Sequence, residues 1–305
     1  MKCRRPLPCM LWIALILLAG CKKAPGAFDA GGYGKELQAW KEKRLARLTR
    51  EDGWLTLCGL FWLKEGENTC GSDSSNGIIF PPGKAPKRAG SILLARGTAR
   101  FLSSPGAEVR CNDSLVASMA LAADDSPDPT ILTCGTLRFY VIKRGDQFAV
   151  RVKDSENPAR KDFKGLDYFP ADARWRIEAR FEPYTPPKML RVPSIVGTVE
   201  TDSCPGAIAF EVGGTPCRID AVIEKGVEDE LFIMFADSTN GRETYQVGRQ
   251  LYAPLPDSAG KVILDFNKAY NWPCVFTVYA TCPIPPPQNH LPFRVDAGEK
   301  MYRGH

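Results

Sequence analysis

From Trp54 onward the chain is written in short apolar or alternating runs, each cut off by Gly, Pro, Asn or Asp: "WLTLCGLFWL", "GIIF", "SILLARGTARFL", "AEVRC", "GTLRFYVIKRGDQFAVRVKD" and "RWRIEARFEPY". Period-two alternation over so few residues buries one face of a strand, and the residues between the runs are those that turn a chain. "KRGDQ" predicts a hairpin within the longest run. A polar, proline-bracketed stretch, "ENPARKDFKGLDYFP", interrupts the pattern. It resumes in "MLRVPSIVGTVETD", "AIAFEVGGTPCRIDAVIE", "ELFIMFAD", "GRQLYAPL" and "KVILDF", with "EVGGTPCR" as a second hairpin. No ten-residue helical period separates strands, which argues against a parallel sheet with crossover helices. The expected fold is mainly β: two antiparallel sandwich or barrel-like units, residues 53–162 and 163–305, dividing near Asp162 to Pro170. One amphipathic helix, residues 33–52, precedes them. It carries Leu37, Trp40, Leu45 and Leu48 at near-helical spacing and ends at Asp52-Gly53.

The N-terminus has a different texture. "MKCRRP" is basic, "LPCMLWIALILL" is apolar but too short to cross a bilayer, and "LAGC" ends at Cys21. This reads as a signal peptide over residues 1–20 with a lipobox, so Cys21 is the expected lipidation site. Residues 21–32 then form an Ala/Gly/Pro tether. The implied location is the cell envelope, held to a membrane by an N-terminal lipid. Loss of residues 1–20, with Lys2, Arg4, Arg5 and no acid, takes the formal net charge from +5 to +2. A chain so close to neutral, without a basic block, does not point to nucleic acid. Of eleven cysteines, eight lie beyond Cys21, an even number that permits disulfides in an exported chain. With no C-x-x-C and histidines only at positions 290 and 305, neither a metal site nor any cofactor is expected.

"EDGWLTLCGLFWLKEGENTCGSDSSNGIIFP", "RVKDSENPARKDFKGLDYFP", "DSTNGRETYQVGRQLY" and "DFNKAYNWPCVFTVYATC" occur in that order. With these motifs the span from about Trp40 to Glu299 resembles the bacterial family known as domain of unknown function 1684. The resemblance implies a β-rich bacterial protein without an established reaction. Cys274 and Cys282 fall inside the family's motif, whereas Cys58 stands where members have an apolar residue or Pro. The first half is also similar to a forkhead-associated sandwich, through "NTCGSDSSNGIIFP". Phosphothreonine binding in that fold relies on an arginine after the glycine and a nearby histidine. Here Ser72 follows the glycine and no histidine is near, so the shape is expected without the phosphopeptide site.

A Ser-His-Asp or Cys-His triad needs an imidazole beside the nucleophile, and no G-x-S-x-G elbow is present. The polar residues gather instead in two stretches. "FADSTNGRETYQVGRQLY" offers Asp237, Thr239, Glu243, Tyr245 and Arg249; "LDFNKAYN" with "VYATC" offers Asp265, Asn267, Tyr270, Asn271 and Tyr279. If the strand continues past Asp265, alternation places Asp265 and Asn267 on one face. With Tyr270, Asn271 and Tyr279 beside them and Arg249 at the edge, that face suits a small polar or anionic ligand. The competing reading is structural: Asp and Asn in such loops bond backbone amides. Arg151, Asp154 and Arg160 in "RVKDSENPAR" could likewise close on an anion or form a salt-bridged corner. Cys274 and Cys282, flanked by Pro273 and Pro283, are candidates for a disulfide that stiffens the loop. Two other functions stay open: a hydrolase with Asp265 or Glu243 as base and Tyr270 or Tyr279 as donor, and an envelope interaction protein whose partner the sequence does not name.

Overall fold

The structure is a computed structural model and describes residues 30–303. Cys21, the signal peptide and most of the tether lie outside the described residues. Helix α1 (Ala30–Thr49) covers most of the predicted helix and ends earlier, and Gly53 then feeds a 3₁₀ turn at Trp54–Thr56. Its inward stripe is not wholly apolar. Tyr33, Leu37 and Leu48 are buried as the spacing requires, but Arg44 is buried with them, while Leu45 is 41 % exposed. The expectation for Leu45 fails because Arg44 finds a counter-ion inside, donating through Nε to Glu299 at 2.8 Å.

Eleven strands follow: β1 (Leu57–Trp62), β2 (Gly66–Gly71), β3 (Ile78–Ile79), β4 (Gly90–Ala95), β5 (Thr98–Ser103), β6 (Arg110–Cys111), β7 (Ser114–Leu115), β8 (Ser118–Leu121), β9 (Leu132–Cys134), β10 (Leu137–Arg144) and β11 (Gln147–Asp154). They form a five-stranded sheet, order β3-β2-β4-β5-β8, and a six-stranded sheet, order β1-β11-β10-β9-β6-β7. Every pairing is antiparallel except β2 with β3. Alternation fills the space between these sheets. Ile92, Phe101, Leu132, Phe139, Val150 and Val152 share one core, in which Phe139 tilts against Phe80 at 5.0 Å between ring centres. The predicted "KRGDQ" hairpin joins β10 to β11, in register from Leu137↔Asp154 to Arg144↔Gln147.

Helix α2 (Pro158–Lys161), one turn capped by Asn157, lies in the polar stretch. Beyond it come β12 (Arg176–Pro193), β13 (Val199–Val212), β14 (Thr215–Glu224), β15 (Val227–Phe235), β16 (Arg249–Pro254), β17 (Lys261–Asp265) and β18 (Tyr270–Asn271). These form one antiparallel sheet, order β17-β12-β13-β14-β15-β16-β18, which is open between its edge strands rather than closed as a barrel. Gly213 and Gly214, at φ of 57° and 81°, turn β13 into β14, the left-handed pair that a tight hairpin requires. One face packs Ile208, Ile219, Ile233, Phe235, Leu251 and Leu264 against Phe266, Val295 and Ala297. The other face carries Val192, Val222, Phe232 and Met234, which meet Leu57 of β1, Trp272 and Cys282. This second face is the floor of the site.

Candidate functional site

A cleft of about 700 Å³ opens over that face. Its floor is Val192, Val222, Phe232 and Met234 of the seven-stranded sheet. One wall is Trp272 to Pro273 with Ala280 to Pro283; another is Arg44 and Arg47 of α1; the third comes from the six-stranded sheet through Lys143, Arg144 and Arg151. Three separate parts of the chain therefore build it, over an apolar base with charged groups above.

Most of those charges are matched. Arg44 pairs with Glu299. Arg144 reaches Asp124 at 2.9 Å and Glu200 at 3.3 Å, and Lys143 lies 3.8 Å from Asp125. Tyr252 donates its hydroxyl to Glu224. Asp202 has its carboxyl held above the ordinary range, first by burial and then by the charges of Glu200 and Glu224. Arg151 is different. It is 4 % exposed, its guanidinium lies 5.0 Å from the centre of the Trp54 ring, and its Nη2 donates to Thr281 Oγ1 at 3.3 Å. Its Nε has no acceptor, and among the described residues no carboxylate lies within ion-pair distance. The salt-bridged corner does not include it: Asp154 turns to Lys84 at 3.7 Å, and Arg160 donates to the carbonyls of Thr49 and Ser155. Close by, the Trp272 Nε1 and the Asn271 Oδ1 are buried without partners.

The sequence-predicted residues divide between cleft and scaffold. Tyr270 and Asn271 line the cleft. Tyr270 lies under Arg44, 4.6 Å from its guanidinium, and burial raises its hydroxyl above the ordinary range. Asn271 donates its Nδ2 to the Lys300 carbonyl at 2.7 Å and its amide to Glu299. Arg249, Asp265, Asn267 and Tyr279 do not line it, so the six expected residues do not converge on one concavity. Strand β17 stops at Asp265, where a 3₁₀ turn over Phe266–Lys268 begins, and period-two alternation ends there. The Asp265 carboxylate caps that turn, accepting from the Asn267 amide at 3.2 Å, and takes the Tyr33 hydroxyl at 2.9 and 3.0 Å. Burial raises its pKa, against the lowering effect of the Tyr33 bond, the Lys268 charge and the Asn267 bonds. Asn267 accepts from the Asp172 amide at 3.0 Å and donates to the Asp172 carbonyl at 2.9 Å. It fastens a loop. Tyr279 is 37 % exposed and stands outside the cleft.

Arg249 is the hub of the other polar stretch. Fully buried, it donates to Asp237 at 2.8 Å, to the Val295 carbonyl at 2.8 Å and to the Ala297 carbonyl. Asp237 also accepts from the Thr239 amide at 2.7 Å. The turn that follows those carbonyls needs a glycine: residue 298 has a φ of 76°, and a Cβ there would meet the Ala269 oxygen at 2.4 Å. Glu243 is tied to Arg294 at 3.0 Å, and that bond holds its carboxyl below the ordinary range, the wrong direction for a general base near neutral pH. Cys274 and Cys282 are free thiols, side by side, with the Cys274 amide donating to Cys282 Sγ at 3.2 Å. The expected disulfide is not formed, although the loop brings the pair together.

Sequence reading missed Arg44, Arg47, Asp202, Glu224, Gln250 and Tyr252 as cleft residues. Each sits in an ordinary alternating or helical pattern, and nothing local marks it. A buried arginine on the stripe of α1 was the one available signal.

No curated protein matches the chain. Among solved structures, an uncharacterized protein from gene locus rrnAC0354 of Haloarcula marismortui is 27 % identical with a TM-score of 0.40, covering 48 % of this chain and 81 % of its own. An FHA domain from a study of phosphothreonine-dependent FHA interactions is 15 % identical (TM-score 0.22), covering 31 % of this chain and 92 % of its own. The FhaA FHA domain, solved with the intracellular domain of Rv3910, is 14 % identical (TM-score 0.22), with coverages of 30 % and 96 %. These likenesses are weak. The family described as "Protein of unknown function (DUF1684)" matches residues 161–300, a narrower span than the motifs from Trp40 to Glu299 suggest, so the likeness to this family lies in the C-terminal part of the chain.

Proposed function

We propose that the cleft binds a small ligand through an anionic group, a carboxylate or a phosphate, seated on Arg151. The observation that carries this reading is the buried guanidinium without a carboxylate partner. A charge withdrawn from water costs several kcal/mol unless something pairs with it, and the other cleft arginine that is buried, Arg44, has its acid beside it. The apolar floor and the unpaired Trp272 Nε1 fit a ligand with an apolar body and an acceptor. The protein doing this is a cell-envelope lipoprotein, carried at the membrane by lipid on Cys21. The test is a thermal-shift panel of carboxylates and phosphates against the purified chain and its Arg151→Met variant. An anion should raise the melting temperature of the parent and leave the variant unmoved. A panel with no hit, or an equal shift in both, overturns the reading. The anchor is tested separately: Cys21→Ser should move the protein out of the membrane fraction after a high-salt wash.

A further inference from the structure

The loop that walls the cleft holds two thiols for which anion binding has no use. Cys274 sits half-buried in the 3₁₀ turn Pro273–Val275. Cys282, 3 % exposed, lies beside it in the cleft wall. The two residues lie side by side, with the Cys274 amide donating to Cys282 Sγ at 3.2 Å, and Tyr245 packs in the same cluster. The other described cysteines lack this arrangement. Cys58 and Cys204 point at the carbonyls of Val152 and Gly206, and burial pushes Cys58 and Cys70 up to about 12.

We propose that Cys274 and Cys282 are a reactive dithiol pair that exchanges with the disulfides of small thiols, Cys274 attacking and Cys282 resolving. In the first step the Cys274 thiolate attacks one sulfur of the disulfide, forms a mixed disulfide and expels one thiolate. In the second, Cys282 gives its proton to that departing thiolate and attacks Cys274 Sγ. The second small thiolate leaves, takes up the proton first lost by Cys274, and the Cys274–Cys282 bond closes. The protein is oxidised by two electrons and the small disulfide is reduced to two thiols. The geometry assigns the roles, since the attacking sulfur must be reachable and the resolving sulfur adjacent. The acidities agree. The bond from the Cys282 thiol, opposed by burial and helped by Tyr245, holds Cys274 below the ordinary thiol range. Burial first, and then the neighbouring Cys274, push Cys282 up. A thiol lowered in this way is the nucleophile of such pairs.

The purified full chain, treated with oxidised glutathione and mapped by peptide mass, tests the assignment. The parent should close Cys274–Cys282. Cys282→Ser should stop at a glutathione adduct on Cys274, and Cys274→Ser should give an adduct on Cys282 at least about tenfold more slowly. Independently of any variant's folding, alkylation of Cys274 in the parent should reach half its maximal rate below the ordinary thiol value of 9.0. Tyr245→Phe should move that midpoint upward. An adduct on Cys274 forming no faster than one on the half-buried Cys111, or an alkylation midpoint at or above 9.0, overturns the proposal.

Discussion

Two buried arginines divide this molecule. Arg249, on β16 of the seven-stranded sheet, has its counter-charge supplied by the chain: the Asp237 carboxylate, with the carbonyls of Val295 and Ala297 beside it and its Nε alone without an acceptor. Arg151, between the six-stranded sheet and the cleft, has one threonine hydroxyl and an indole face. Both cations are withdrawn from water, so burial alone does not separate a scaffold group from a binding group. The partner does. Where the chain supplies a counter-charge the arginine holds loops together; where it withholds one, the proposed ligand would bring it.

The difference can be broken experimentally at four points. The largest effect belongs to Asp237→Asn. It leaves Arg249 buried without its carboxylate and should cost about 3–5 kcal/mol in chemical denaturation; a loss below 1 kcal/mol would place Arg249 outside the scaffold. Next is Asp265→Asn, expected to cost roughly 1–3 kcal/mol because one of the two oxygens facing the Tyr33 hydroxyl and the Asn267 amide becomes a donor NH2. Its sign with pH follows from the raised pKa of Asp265. That contribution to stability is complete below the ordinary value of 3.8 and is lost as pH rises through the higher folded value. The gap between parent and variant should therefore narrow upward from acid pH, and a gap that widens in the same denaturation series would contradict the direction of the shift. Third, Arg151→Met should leave the unliganded melting temperature level or slightly raised, since it removes a buried charge that nothing pairs; a marked fall would make Arg151 scaffold after all. The smallest is Tyr279→Ala, within about 0.5 kcal/mol of the parent and without effect on the anion response.

The strands were readable in the sequence because alternation is local. Phe139, Val141 and Val150 announce their own faces, as do the hairpins at Gly145 and at Gly213-Gly214. The site was readable only in part. Tyr270 and Asn271 stand in the cleft, but Asp265 and Asn267 turn aside where β17 gives way to a 3₁₀ turn, a change at one residue that no period reports. The cleft also depends on Arg44, Arg151 and Phe232 meeting across more than a hundred residues of sequence, and a local pattern holds no record of that distance. Even so, "RVKDSENPAR" did bring Arg151 forward as an anion candidate. Its charge between Val150 and Val152 was visible; the absence of its partner was not.

Helix α1 is the earliest described element, yet its buried cation waits for the end of the chain. Arg44 and Glu299 are 255 positions apart, and Tyr33 meets Asp265 across 232. The helix also has nearer partners, with Leu48 packed on Leu55 and Arg160 donating to the Thr49 carbonyl, but contacts of such long separation carry the entropic cost of closing nearly the whole polypeptide. A chain cut short before Glu299 would keep Tyr33 on Asp265 and Leu48 beside Leu55, and yet leave Arg44 in the cleft wall as a second buried cation without a carboxylate.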